Sequence, residues 1–198
     1  MANQNGKKYG FTALFPIKPG EHVAKLRLHL RSLDGCVNGS PLSRVDIVHM
    51  ARFVIVDLLP YQGVPAKTDV LNSAYLLFVC EFDGSSSDSL VQALVQAIRP
   101  EVDEIWQHCG GFPGSSRVDD LADYFSRCQL ETTLLLADRP DDSLEDILRA
   151  LLYKRQFSEL VLCVQEQRAK LNPADLKTRI QKELRKIVTA PPPPPGSM

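Results

Sequence analysis

The sequence lacks the short motifs that assign a function directly. It contains no C-x-x-C pair, no G-x-S-x-G, no H-E-x-x-H and no glycine-rich loop of the kind that cradles a phosphate. Zinc-dependent, serine-nucleophile and nucleotide-binding activities therefore have no sequence signature here. Any chemistry must come from side chains that the fold brings together.

A large net charge and long apolar runs are also missing. Lys and Arg number 23 against 24 Asp and Glu, so the net charge of −1 predicts neither nucleic acid nor an anionic membrane as a partner. No run approaches the ~18 apolar residues of a transmembrane helix, and no apolar stretch follows the lysines of MANQNGKKYG, so we expect no secretory signal. The five cysteines are scattered and odd in number, which favours reduced thiols and a cytoplasmic location. They are Cys36, Cys80, Cys109, Cys128 and Cys163.

The apolar periodicity predicts an α+β domain over residues 1–138. Strands are predicted at 11–17, 47–56, 75–82 and 132–137, with one helix after the first strand and another after the third. Strand, helix, strand, strand, helix, strand is the order of a ferredoxin-like antiparallel sheet (βαββαβ). Two helices cover only one face of such a sheet, so we predict a homodimer in which a second copy covers the other face.

The remaining chain is predicted to be helical and then extended. Ser143 and Asp146 form a capping-box pattern at the start of a helical extension over residues 139–190, and residues 191–198 are a proline-rich tail. Residues 168–186 carry seven basic and two acidic residues, a pattern that suits a membrane surface or a protein partner. Packing of this helix on its own domain or on a sister subunit is the favoured interpretation.

The first candidate site lies in VHMARFVIVD. Arg52 shares a predicted strand face with Val48 and Val54, and Glu81 is its expected partner across the sheet. The favoured interpretation is a buried structural ion pair within the dimer interface. The alternative is an arginine that binds an anionic or oxygen-bearing ligand on the open face of the sheet. His49 falls on the opposite face, where a core histidine is the favoured interpretation.

The second candidate site lies in IWQHCGGFPG. His108 follows a predicted helix, whose C-terminus should favour the imidazolium form, and Glu101 or Glu104 could orient its ring. The favoured interpretation is a helix stop with an inward Cys109. The alternatives are a metal or haem ligand and a general base. Adjacent positions on a helix face about a hundred degrees apart, so His108 with Cys109 is not a metal-ligand spacing.

These two segments resemble a family of bacterial proteins of unassigned function. Its pattern is roughly H-F-A-R-F/W-V in a strand and H-C-x-G-Y/F-P after a helix, and the similarity covers about residues 10–138. Met50 stands where the family tends to have Phe, and Phe112 where it often has Tyr. At the level of fold, the chain is similar to the dimeric α+β barrel superfamily. That superfamily includes small monooxygenases, haem-degrading enzymes, chlorite dismutases and dye-decolourising peroxidases, alongside non-enzymatic members.

Two functions remain open from the sequence. The first is a non-catalytic homodimer that binds a small ligand or another protein between its sheets, without a metal or a cofactor. Its candidate ligand-binding residues are Arg52, Glu81, His49, His108 and Cys109. The alternative is an oxidoreductase, haem-dependent or cofactor-free, that uses His108, or His49 with Arg52.

Overall fold

The computed structural model of the protein describes residues 3–33, 35, 39–59, 61, 63–65, 70–167 and 172–196. These residues form four strands, five α-helices and the short 3₁₀ turn Pro41–Arg44. The strands are β1 (Gln4–Asn5), β2 (Lys8–Pro16), β3 (Val48–Leu58) and β4 (Val70–Asp83). The helices are α1 (His22–Ser32), α2 (Ser87–Trp106), α3 (Val118–Cys128), α4 (Leu144–Gln167) and α5 (Pro173–Thr189).

The strands form one antiparallel sheet in the order β1-β2-β4-β3. Phe11 of β2 lies opposite Cys80 of β4, and Phe53 of β3 lies opposite Phe78 of β4. The α+β class and the antiparallel sheet are therefore confirmed. Three of the predicted strands are present, each with somewhat different ends, because the alternation of apolar residues marks their buried face.

The predicted fourth strand at 132–137 is wrong. These residues have no regular structure, and the chain after α3 meets β2 through an isolated bridge between Gln129 and Ala13. The hydrogen-bonding edge of β2 is instead occupied by β1, which joins β2 through a two-residue turn at Gly6, where φ is +60°. Leu135 then crosses over the sheet, and its Cδ1 lies 2.9 Å from where a Cβ of Gly10 would be.

One face of the sheet carries an aromatic core under α1, α2 and α3. Trp106, at the end of α2, lies at its centre and is completely buried. Its ring centroid is between 5.1 and 5.8 Å from those of Phe15, Phe53, Phe78 and Phe125. α2 is interrupted at Ile98 (φ −141°, ψ 40°), two residues before Pro100, as expected from a proline that opens a new helical turn.

α4, the first of the two C-terminal helices, begins at the predicted cap. Ser143 and Asp146 form the capping box: Asp146 N donates to Ser143 Oγ at 3.2 Å, and Ser143 N donates to Asp146 Oδ2 at 3.1 Å. α5 packs on α4, where Tyr153 donates to the carbonyl of Val188 at 3.1 Å. Packing of the basic helix on its own chain is therefore confirmed for residues 173–186.

Some predictions fall outside the described residues. They concern the thiol of Cys36 and the first basic residues of the 168–186 segment. Cys80, Cys109 and Cys128 are free thiols. Within the described ranges, no helix has the length and hydrophobicity needed to cross a membrane.

Candidate functional site

The sheet face opposite the aromatic core is only partly covered, and it is called the open face below. All of its twelve residues are exposed or half-buried. They are Gly10, Thr12, Leu14 and Pro16 of β2, Tyr75, Leu77, Val79 and Glu81 of β4, and Met50, Arg52, Val54 and Val56 of β3. The uncovered face that the sequence predicts is therefore present in the single chain.

Arg52 and Glu81 do not form the predicted buried ion pair. Arg52 is exposed and lies opposite Val79, whereas Glu81 is half-buried and lies opposite Met50. Neither residue belongs to an ion pair in the part of the chain that the structure describes. The pair is therefore absent from the described part of the single chain, where Arg52 lies exposed on the edge strand β3, and its formation within a dimer interface stays a prediction. Both charges are left on the open face as diagonal neighbours.

A cluster of three titratable side chains lies at the beginning of β2. Lys8 and Asp83 are directly paired across β2 and β4, and their Nζ and Oδ1 atoms are 2.9 Å apart. His49 Nε2 lies 2.8 Å from the same Oδ1 and 2.5 Å from Lys8 Nζ. The side chain of Lys8 is only 3% exposed. A buried ammonium is therefore neutralised by a carboxylate that also contacts an imidazole.

A β-bulge places His49 in this cluster. The register of β3 on β4 shifts between Val48 and Met50, so His49 is the extra residue. A bulge re-aims a side chain that strand alternation would send elsewhere. His49 therefore leaves the core position expected from its alternation with Ala51 and Phe53, although its Nε2 is satisfied as expected of a buried histidine.

His49 Nε2 can be either a hydrogen-bond donor or an acceptor in this cluster. If His49 Nε2 carries a proton, it donates to Asp83 Oδ1, and if it does not, it accepts from Lys8 Nζ. Burial alone would raise the pKa of Asp83, but hydrogen bonds from Leu144 N, His49 and Lys8 outweigh it and hold that pKa below its usual value. Asp83 is thus a carboxylate that fixes both neighbours and the first turn of α4.

A groove of about 460 Å³ runs beside this cluster, between β3 and α4. Its apolar wall consists mainly of Ile147, Leu148 and Leu151 of α4, and His49 is the titratable side chain in its lining. Pro195 and Gly196 of the proline-rich tail lie against it. When Asp83 accepts from His49 Nε2, the other ring nitrogen, Nδ1, lies 3.5 Å from Lys8 Nζ.

The predicted site at His108 and Cys109 lies at the other end of β2. The backbone bridges Cys109 to Ile17, and the His108 carbonyl accepts from Lys18 N at 2.9 Å. Cys109 is completely buried, and burial raises its pKa to about 12, so its thiol stays protonated near neutral pH. This arrangement agrees with the interpretation of the segment as a helix stop that attaches α2 to β2.

The side chain of His108 contacts another histidine rather than a glutamate. Its Nδ1 lies 3.1 Å from Nδ1 of His22, whereas Glu101 pairs with Arg44 and Glu104 lies 3.8 Å from His29. Burial, followed by the charges of His22 and other nearby cationic groups, lowers the pKa of His108. This direction of the pKa shift is opposite to the one expected from the helix C-terminus.

The structure does not bring the predicted site residues together. β2 has nine residues, so its ends are roughly 26 Å apart at about 3.3 Å per residue. His49 lies at one end and His108 at the other, while Arg52 lies on the open face between them. Among the described residues, no group of three or more His, Cys, Asp and Glu side chains is arranged to hold a metal ion.

Sequence reasoning did not find Lys8 and Asp83 as site residues. Lys8 directly precedes the apolar alternation of β2, and Asp83 comes directly after that of β4. Two opposite charges at the adjoining ends of neighbouring antiparallel strands are the signal that could have indicated the pair. No family model matches the chain, and no curated protein or solved structure matches it significantly.

Proposed function

We propose that the protein is a homodimer of the dimeric α+β barrel type that binds a small ligand between two open faces. The proposal rests on one observation: an otherwise mostly apolar sheet face carries one cation and one anion, Arg52 and Glu81, that have no ion pair among the residues that the structure describes. The order β2-β4-β3 supports a ferredoxin-like relationship, since the first, third and second long strands adjoin as in that fold.

A twofold axis would give each charge a partner. In an isologous interface each contact occurs twice. If one residue of the first subunit contacts a second residue of the partner, then that second residue of the first subunit contacts the first residue of the partner. Arg52 would then meet the partner's Glu81, while its own Glu81 meets the partner's Arg52. Apolar residues such as Leu14, Val54 and Leu77 surround the two charges and would lose their exposure to water.

The same arrangement leaves donors for a ligand. A guanidinium has five N–H groups, and a bidentate carboxylate accepts from two of them. The remaining groups of Arg52 could bind an oxygen of a small molecule enclosed between the sheets. This retains the ligand-binding role predicted for Arg52 and Glu81 and requires no residue of the chain to act as a catalyst.

The oxidoreductase alternative has less support. Haem ligation needs one imidazole nitrogen that can bind the iron. The contact of His108 Nδ1 with His22 leaves Nε2, and the contacts of His49 Nε2 with Lys8 and Asp83 leave Nδ1, so these bonds do not decide against a haem ligand. Arg52 does not contact either histidine in the described chain. His49 with Asp83 could act as a base toward the groove, but Lys8, the acid in contact with it, is buried and does not line the groove.

Charge reversal tests the dimer. Arg52→Glu and Glu81→Arg should each weaken association at least about 100-fold, because like charges that face each other across an interface cost several kcal/mol. The double variant Arg52→Glu with Glu81→Arg should restore it. Sedimentation velocity at micromolar concentration should give about twice the 22.1 kDa chain mass for the wild type and for the double variant.

Arg31→Glu is the matched control, since Arg31 is exposed on α1, outside the open face. It should sediment as the wild type does. A monomeric wild type would overturn the proposal. A dimer that neither single reversal weakens would place the interface on another surface and would overturn it equally.

A further inference from the structure

The proline-rich tail has a regular conformation after α5. A residue that precedes proline is restricted to extended or polyproline II backbone, and this applies to each residue from Ala190 to Pro194. Ala190 itself, with φ −65° and ψ 134°, lies close to polyproline II values. The tail therefore leaves α5 as a polyproline II segment, a left-handed helix with three residues per turn.

The exposure of the tail repeats with the same period of three. Pro191 and Pro194 are exposed, whereas Pro192, Pro193 and Pro195 are half-buried. Two of the three edges of the polyproline II helix therefore face the protein, and the third edge faces water. A tail that did not contact the protein would show no such period. The pattern indicates a segment that is docked along one side.

The tail extends to the groove between β3 and α4. Its starting point is fixed, because Tyr153 of α4 donates to a carbonyl at the end of α5 at 3.1 Å. Along α4, Tyr153 and Ile147 are about 9 Å apart at ~1.5 Å per residue. From Ala190 to Pro195, a polyproline II segment spans roughly 15 Å at ~3.1 Å per residue. The tail is long enough to reach the groove, and Pro195 and Gly196 lie against it.

The chemistry of the groove suits proline. Its α4 wall is aliphatic and consists mainly of Ile147, Leu148 and Leu151. A pyrrolidine ring is apolar and loses no side-chain entropy when it is buried. A prolyl nitrogen carries no hydrogen, so the tail brings no backbone N–H that would lack an acceptor beside this wall. A polyproline II segment is also ordered before it binds, which lowers the entropic cost of docking.

We propose that α4 and β3 form a docking site for a polyproline II segment, and that the chain's own tail is the segment bound there. The tail closes one side of the groove that His49 also lines. Because it is covalently attached, it competes with any other proline-rich segment at an effective concentration on the order of millimolar. The α4 wall lies outside the open face, so the site does not require the proposed dimer.

A fluorescein-labelled peptide with the sequence of residues 189–196, TAPPPPPG, is the probe. Fluorescence anisotropy measures its binding to the wild type and to a full-length variant, Pro192→Ser with Pro193→Ser and Pro195→Ser, which lacks the half-buried prolines. The variant should bind the peptide saturably and at least about tenfold more tightly than the wild type, whose tail competes. The control peptide TAAAAAAG should bind the variant at least about tenfold more weakly, because it is not held in polyproline II conformation.

Leu151→Glu and Leu162→Glu, each added to the serine-substituted variant, locate the site. Both leucines are exposed on α4, at 44% and 61%, but only Leu151 lines the groove. Leu151→Glu should weaken peptide binding at least about tenfold, because it places a charge on the apolar wall. Leu162→Glu should leave the affinity unchanged.

Three results would overturn the proposal. The first is that the serine-substituted variant does not bind the peptide saturably. The second is that Leu151→Glu and Leu162→Glu have equal effects, which would place the peptide elsewhere. The third is equal affinity in the wild type and the serine-substituted variant, which would leave the groove to a proline-rich segment of another chain and exclude the tail as its occupant.

Discussion

The two ends of β2 each bring a histidine against another titratable side chain, with opposite electrostatic results. At the beginning of the strand, His49 shares a carboxylate, Asp83, with the buried Lys8. Beyond the end of the strand, His108 faces His22, and no carboxylate is bonded to either ring in the described chain. One end is a neutralised ionic cluster, and the other is a pair of imidazoles in a cationic surrounding.

This difference shows that the surroundings, and not the residue type, decide what a histidine contributes. Asp83 compensates the burial of Lys8 and binds the first turn of α4 through Leu144 N at 2.6 Å. The first cluster therefore joins β2, β4, β3 and α4. His108 has no such anion, so burial and its cationic neighbours favour its neutral form. We therefore expect the first cluster to contribute strongly to stability and the second to depend on pH.

The largest expected effect is at Asp83. Asp83→Asn should lower the free energy of unfolding by about 3 kcal/mol, because it leaves the buried ammonium of Lys8 without a counter-charge. This loss of stability is at the low end of the range for broken buried ion pairs, because the Asp83 side chain is still 19% exposed. Urea denaturation at pH 7, followed by circular dichroism, measures the change.

Asp123→Asn is the control for this comparison. Asp123 is exposed on α3 and has no side-chain partner among the described residues, so its replacement should change stability by less than about 0.5 kcal/mol. If Asp83→Asn cost less than about 1 kcal/mol, the cluster would behave as a solvent-screened surface pair. The distinction between the two ends of β2 would then fail.

A second effect at the same residue should appear in acid. The folded pKa of Asp83 lies below the unfolded value of about 3.9, so its stabilising contribution is present above that value and is lost as the pH falls through the folded pKa. The stability difference between the wild type and Asp83→Asn should therefore shrink below about pH 4. Urea midpoints measured from pH 7 to pH 2 test this. Parallel curves over the whole range would show that Asp83 does not titrate as the structure indicates.

The elements with a strong local pattern could be predicted from the sequence. The alternation of β3 and β4, the break at Pro100 and the capping box at Ser143 each depend on neighbouring residues, and each is present. Residues 132–137 have an equally suitable strand pattern, but the edge of β2 is already taken. Gly6, with its positive φ, holds the first central position of the two-residue turn between β1 and β2. Glycine at this position is typical of hairpins and is the signal that could have indicated a competing edge strand before β2.

The candidate site was harder to predict because it depends on register. Strand alternation places His49 with Ala51 and Phe53, and the sequence does not show the bulge that turns it toward Asp83. The pairing of Lys8 with Asp83 joins positions 75 residues apart. The unpaired state of Arg52 and Glu81 likewise depends on what lies above the sheet. The strand to which each of these residues belongs could therefore be predicted, but the residues that it contacts could not.

The smallest expected effect is the titration of His108. In the folded protein its pKa should lie below the usual value of about 6.5, with burial as the main cause and the charge of His22 as the next. His22→Gln should therefore raise this pKa without restoring it fully, since burial remains.

Because the folded pKa of His108 is lower than the unfolded one, its contribution to stability is complete above about pH 6.5 and falls as the pH drops toward the folded value. His108→Gln should flatten that slope. Proton NMR of the imidazole signals, assigned with the His108 variant, gives the pKa directly. A value above 6.5 would mean that the helix C-terminus dominates after all, and the two ends of β2 would no longer differ in sign.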